Sequence, residues 1–450
     1  MKLKTIVAIV GLAAAGSALA ANGTGSNLHA QIQNLQQQVA NLQQQVNQMG
    51  SSQGSSTGSS VLGQYVQLNP ALTTQLLGNF GGVNGEMAIL NAKKNMQNNT
   101  LYVGGYGEFG LTWGAANRSY TTVSSNDPVS KSSTSVTVDH LNVGLVGNLN
   151  QYAAAYIEAG HSDIGAAHTS DLPTFRQAYV LLGNGVLPVY GFVGRKDIDF
   201  GNFSTVNMFA QPLTRELFEV NGNTAGVGYN AYGFNVVASL MNGGANGNLN
   251  VNEAGFWGPG LPSDGTVTGL NGLYTNNGNQ LNNFALNANY GMTTNGINWN
   301  VGAGYLNGLW IGNSLYNNSS NQRIGAWDIN AQAGFQGLTF LAEYVSTAQS
   351  VNYGSGGKGR LSAWDLGSSY AFNAGVIPNQ SVVSFDYSGS RQGASDSTTN
   401  NQFVVGVRNQ VWPKANLWAG IEYAYDHIAG ATSSGTLNNN NVRLDLTANF

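Results

Sequence analysis

The stretch that decides the fold is Val442-Arg443-Leu444-Asp445-Leu446-Thr447-Ala448-Asn449-Phe450. Val442, Leu444, Leu446, Ala448 and Phe450 alternate with Arg443, Asp445, Thr447 and Asn449. Successive side chains of a strand point to opposite faces, so a period of two reads as a strand with one apolar and one polar face. The edge strand of a soluble sandwich has the same pattern, so the rest of the chain must discriminate.

From Leu101 onward the alternation persists. Leu101, Val103, Phe109, Leu111 and Trp113 share one parity, with Tyr102, Tyr106 and Glu108 on the other. Further strands fit Thr137–Gly147, Tyr152–His161, Val189–Arg195, Phe234–Met241, Ile297–Tyr305, Leu361–Phe372, Leu417–Asp426 and similar stretches, about sixteen in all. Parity slips once, near His140, which predicts a bulge. Short connections such as Asn148–Gln151 and Gln336–Gly337 alternate with long polar ones, the longest being Asn242–Asn282.

Charge separates the two candidate architectures. Glu108, Glu158, Arg176, Asp328, Glu343, Asp365, Asp386, Arg408, Glu422, Arg443 and Asp445 lie mainly on the parity opposite the aliphatic face. A soluble sandwich would turn that parity outward and bury the other. Trp327, Ile329, Ala331, Ala333 and Phe335 would make a poor wet exterior. In a membrane barrel the aliphatic parity meets lipid, where Arg or Lys costs about 2–4 kcal/mol at the midplane, and the charged parity lines the lumen. The expected fold is therefore all-β: a transmembrane antiparallel up-and-down barrel of about sixteen strands spanning 101–450. Aromatics near strand ends, Trp113, Tyr290, Trp299 and Trp412 among them, suit the headgroup zones.

Composition agrees. The 450 residues include 61 Gly and no Cys, and only 8% are charged, against about a quarter in ordinary soluble domains. Thiolate metal sites, disulfides and a lipoprotein anchor are excluded, and a net charge of −4 gives no argument for nucleic acid. Lys2 and Lys4, the apolar run Ile6 to Ala15 and Ala18-Leu19-Ala20 read as a secretory signal over 1–20. Ending on Phe450 resembles the sorting signal of bacterial outer-membrane barrels, which implies the barrel-assembly machinery and outer-membrane lipid as partners.

The segment 21–49 carries heptads. Ile32, Val39 and Val46 take one core position, and Leu28, Leu35, Leu42 and Met49 the other. This predicts a short periplasmic coiled coil and a homo-oligomer, with dimer and trimer both open. Residues 50–60, GSSQGSSTGSS, form a flexible linker. Residues 61–100 fit either a helical segment at the periplasmic mouth or a small plug.

Sixteen strands leave an aqueous lumen. One connection, from Phe192 to Val220, concentrates charge: Arg195, Lys196, Asp197, Asp199, Arg215, Glu216 and Glu219. Folded inward, these residues would narrow the pore and set a transverse field; the alternative is that they pair internally and brace the wall. Carboxylates outnumber Arg and Lys on the lumen parity, which points to cation preference. The histidines, His29, His140, His161, His168 and His427, form no nucleophile–base spacing, so neither an enzyme nor a cofactor is expected.

The layout resembles the LbtU-type siderophore porin family of intracellular gamma-proteobacterial pathogens. The resemblance rests on the signal, the Gln-rich heptads from Leu28, the Gly/Ser linker, Gly194-Arg195, Phe200-Gly201-Asn202-Phe203, Pro212-Leu213-Thr214 and Phe450. It implies uptake of a ferric siderophore or another iron complex across the outer membrane. TonB-dependent receptors close about 22 strands around a folded plug, and the segment before Leu101 is too short for one. Iron complexes would then pass an open or lightly gated pore, with external recognition by Asn242–Asn282, which holds Phe256, Trp257 and Tyr274. A general or solute-selective diffusion porin and a surface adhesin or structural barrel remain the alternatives.

Overall fold

The computed structural model describes residues 66–68, 85–117, 120–121, 128–129, 132–164, 174–184, 186–242, 281–311, 323–352, 358–373, 380–392, 398–413, 416–429 and 436–449. The signal segment, heptads, Gly/Ser linker, Phe450, His168 and nearly all of the Asn242–Asn282 connection lie outside them. The chain divides into two units, Met1–Gln67 and Leu68–Phe450.

Sixteen long strands form the wall of the second unit. They are β1 (Thr100–Ala116), β2 (Ser132–Asn150), β3 (Ala153–Ile164), β4 (Thr174–Leu182), β5 (Val189–Asp197), β6 (Asn221–Ala231), β7 (Phe234–Asn242) and β8 (Leu281–Thr294). Then follow β9 (Ile297–Ile311), β10 (Arg323–Phe335), β11 (Leu338–Thr347), β12 (Ser362–Asn373), β13 (Gln380–Gln392), β14 (Thr398–Trp412), β15 (Leu417–Ala429) and β16 (Leu437–Asn449). Each pairs antiparallel with the strands before and after it, and β16 pairs with β1 from Tyr106↔Asn449 to Ala116↔Asn439. The sheet closes on itself, which leaves no unpaired edge.

Local sequence explains local geometry. Glu108 pairs with His140 and Phe109 with Val138, so Asp139 is the extra residue of a bulge, where the sequence parity slips. Among the described residues three hairpins turn on two residues in the left-handed region: Tyr232-Gly233 (φ 55 and 85), Asn295-Gly296 (53 and 79) and Gln336-Gly337 (47 and 87). Two consecutive positive φ values are the type I′ turn that matches strand twist, and Gly in second place removes the Cβ clash. All three lie at one end of the barrel, the short-turn end.

Exposure follows parity. On β16, Leu444 and Leu446 are about 40% exposed while Arg443 and Asp445 are buried. On β13, Val383, Phe385 and Tyr387 are exposed, and Asp386 and Ser388 are buried. Outward aromatics of neighbouring strands pack in pairs, such as Trp327 with Tyr344 and Phe385 with Phe403. Among the described residues two helices accompany the wall: α1 (Gly85–Lys93), before β1, and α2 (Leu213–Phe218), between β5 and β6.

Candidate functional site

The connection from Ile198 to Val220 turns into the barrel. Its root is tied by the Ile198 N–H donating to the Val220 carbonyl at 2.7 Å. Phe200, Phe203, Leu213, Leu217 and Phe218 are apolar and would be stranded in water on an outward loop. They pack instead on Met241, Ala285, Leu306, Ala326, Val345 and Ala363, one inward residue from each of β7 to β12. Close approach needs a missing side chain at Gly304, where a Cβ would lie 1.5 Å from the Phe200 carbonyl oxygen.

Two wall carboxylates hold the backbone of this segment. Glu343 on β11 accepts the N–H groups of Asn202 and Phe203 at 2.8 and 3.0 Å. Glu422 on β15 accepts those of Met208 and Ala210 at 3.1 and 2.7 Å. Convergent N–H donors on one carboxylate are charge-assisted bonds, stronger than neutral ones. Phe203, whose N–H meets Glu343, sits at φ 50 in the strained left-handed region. Farther along, the Arg443 guanidinium lies over the Phe209 ring at 4.8 Å. The segment therefore leaves β5, touches β11, reaches β15 and β16, and returns through α2 to β6.

Its charges gather at the root. Lys196 pairs with Asp199 at 2.6 Å and with Glu86 of α1, and all three are buried. Asp197 lies 3.6 Å from Arg176 and accepts the Asn221 amide at 2.8 Å. Arg215 pairs with Glu219 at 3.1 Å, and Arg176 approaches the same carboxylate at 3.6 Å. Arg195, half-buried, donates to Asn221 at 2.8 Å, and Glu216 is half-buried on α2. The segment lies inward and its charges also pair with one another. Burial, and secondarily the Glu86 carboxylate, push Asp199 up to about 7 against the pull of Lys196.

The other inward charges fall into separate groups. Arg443 bridges Glu108 and Asp445, and the Tyr106 hydroxyl donates to Glu108 at 2.8 Å. Glu158 accepts from Tyr156, Asn142 and Gln177 at 3.1 to 3.3 Å. Asp328 accepts from Asn330 at 2.6 Å. Asp365 and Asp386 are buried on the adjacent strands β12 and β13. Arg408 stacks on Trp418 at 5.3 Å.

Sequence reading missed two participants. Asp426 is fully buried and accepts from Gln402 at 3.2 Å; it shares the parity of Glu422 and was legible from that. Glu86 carries no such signal, because nothing in a nine-residue helix before the barrel marks one carboxylate as inward. His427 meets Asn438 at 2.7 Å. Among the described residues no group of three or more His, Cys, Asp or Glu side chains is placed to hold a metal ion.

Comparison with solved structures fits this geometry. An anion-selective porin from Comamonas acidovorans aligns over 78% of this chain and 99% of its own, with a TM-score of 0.50 and 11% identity. The fold is that of an outer-membrane porin. The outer membrane channel DcaP of Acinetobacter baumannii aligns over 78% of this porin-like chain and 97% of its own (TM-score 0.51, 14% identity). Pseudomonas putida OprB covers 77% and 94% (TM-score 0.51, 11% identity). No family model and no curated protein matches the sequence.

Proposed function

We propose that this porin-like barrel is a solute-selective diffusion channel of the outer membrane, narrowed by the segment 198–220 and preferring cations. The observation that carries the selectivity is the imbalance of buried ionisable side chains: among the described residues twelve carboxyl groups are buried against four Lys and Arg side chains. Lumen charge of one sign raises the local concentration of the opposite ion. The narrowing rests on a segment anchored to Glu343 of β11 and Glu422 of β15.

The reversal potential of the refolded protein in a planar bilayer under a KCl gradient tests this reading. Cation-selective conductance is expected, and an anion-selective potential would overturn it. Uptake of a ferric siderophore or another iron complex is the narrower reading. It rests on the resemblance in layout, and saturable block of the same current by ferric siderophore is its test. Oligomerisation through the heptads of 21–49 belongs with it as a proposal, checked by the mass of the detergent-solubilised protein with and without those residues.

A further inference from the structure

We infer that α1 is a releasable plug of the short-turn mouth, latched inside the barrel by the ion pair of Glu86 with Lys196. The inference rests on the channel reading above and adds a closed state to it.

The helix buries Glu86, Ile89, Leu90 and Lys93, residues spaced by three, one and three, which is one face of a helix. That face lies against the inward side of the wall. Ile89 and Leu90 pack in one cluster with Tyr102 of β1, Val146 of β2, Ala154 and Tyr156 of β3, Tyr179 and Leu181 of β4, Tyr190 and Phe192 of β5, and Val237 of β7. Both ends of the face are polar and both are tied. Glu86 meets Lys196, which also holds Asp199 at the root of the inward segment. Lys93 donates to the Asn148 side chain and the Asn150 carbonyl at 3.0 and 2.9 Å, at the end of β2.

Three properties make this contact reversible. A nine-residue helix is marginal by itself, so it is ordered by the wall it docks on. An ion pair taken out of water gains little net stability, because desolvation offsets the attraction. Its apolar face supplies only Ile89 and Leu90 as fully buried anchors. The surface beneath is aromatic and carries an unpartnered buried hydroxyl, that of Tyr179. Release of α1 opens that surface to the lumen. The link to β1 runs through Asn99, held at φ 57, which is the candidate hinge.

The chain has no cysteine, so one introduced thiol reports on the site. In full-length protein carrying Ala154→Cys, at a wall position buried under α1, a water-soluble maleimide should label slowly. Adding Glu86→Lys, which sets two ammonium groups together, should speed labelling and raise single-channel conductance severalfold. Combining Glu86→Lys with Lys196→Glu should restore slow labelling and low conductance. Heat-modifiable gel mobility verifies folding, and Glu86→Gln serves as the milder variant should the charge reversal misfold. A conducting wild type whose conductance and labelling are unchanged by both Glu86 variants overturns the plug and leaves the channel intact. Absence of conductance from wild type and variants alike overturns the channel reading, and the plug with it.

Discussion

Arg443 in the last strand donates to Glu108 in the first at 2.9 Å, diagonally across the seam where the barrel closes. Both side chains are almost fully buried, and Asp445 completes the group. Removing the cation leaves two carboxylates in the interior without compensation, which costs about 3–5 kcal/mol. Arg443→Met should lower the urea midpoint of refolded protein, and Arg443→Met with Glu108→Gln should recover part of the loss. Gly110→Ala should act in the same direction, because its methyl would sit 2.6 Å from the Arg443 guanidinium.

The carboxylate anchors predict a graded release of the inward segment. Glu422→Gln weakens the bonds from Met208 and Ala210, and Glu343→Gln those from Asn202 and Phe203. Hydrogen bonds to charged groups are worth about 1.5–3 kcal/mol each. Limited proteolysis within 198–220 should quicken in either variant and quicken most in the double variant. Equal cleavage rates in all four proteins would show that the apolar packing alone holds the segment.

Two turn glycines separate backbone strain from crowding. At Gly296 a Cβ meets nothing closer than 3.9 Å, so alanine there costs only the left-handed conformation, about 1–2 kcal/mol. At Gly337 the same Cβ would lie 2.5 Å from the Ala371 carbonyl oxygen. Gly337→Ala should therefore destabilise more than Gly296→Ala in parallel denaturant titrations, although both are the second residue of the same turn type.

Asp199 makes stability depend on pH. Its folded pKa of about 7 lies above the ordinary carboxylate value, so between those two values the folded protein binds a proton that the unfolded chain does not. Stability from this group is greatest below the unfolded pKa and falls as pH rises through the window to about 7. Thermal melts from pH 8 down to pH 5 should show a gain that Asp199→Asn removes. A melt profile identical in wild type and Asp199→Asn would count against it.

Strands were legible because each side of the wall has its own solvent, so Phe109 and Trp113 could be told from Glu108 by parity alone. Boundaries were less so. The predicted Thr137–Gly147 extends to Ser132–Asn150, since the polar flanks Ser132 to Ser135 continue the hydrogen-bond ladder with no apolar side to mark them. The inward course of 198–220 was posed by charge density, yet its anchors are Phe200, Phe203 and backbone N–H groups, whose partners come from strands far along the chain. Glu86 was invisible for the same reason: its partner Lys196 is separated from it by four strands of wall.

A tube made of one hydrogen-bonded sheet can flatten toward an ellipse without breaking a single bond of its ladder. The segment tied to Glu343 on one wall and Glu422 on another works as a strut against that deformation. It braces the cross-section mechanically, so in the proposed channel the size limit for solutes would be set by the brace and not by the lateral pressure of the surrounding lipid.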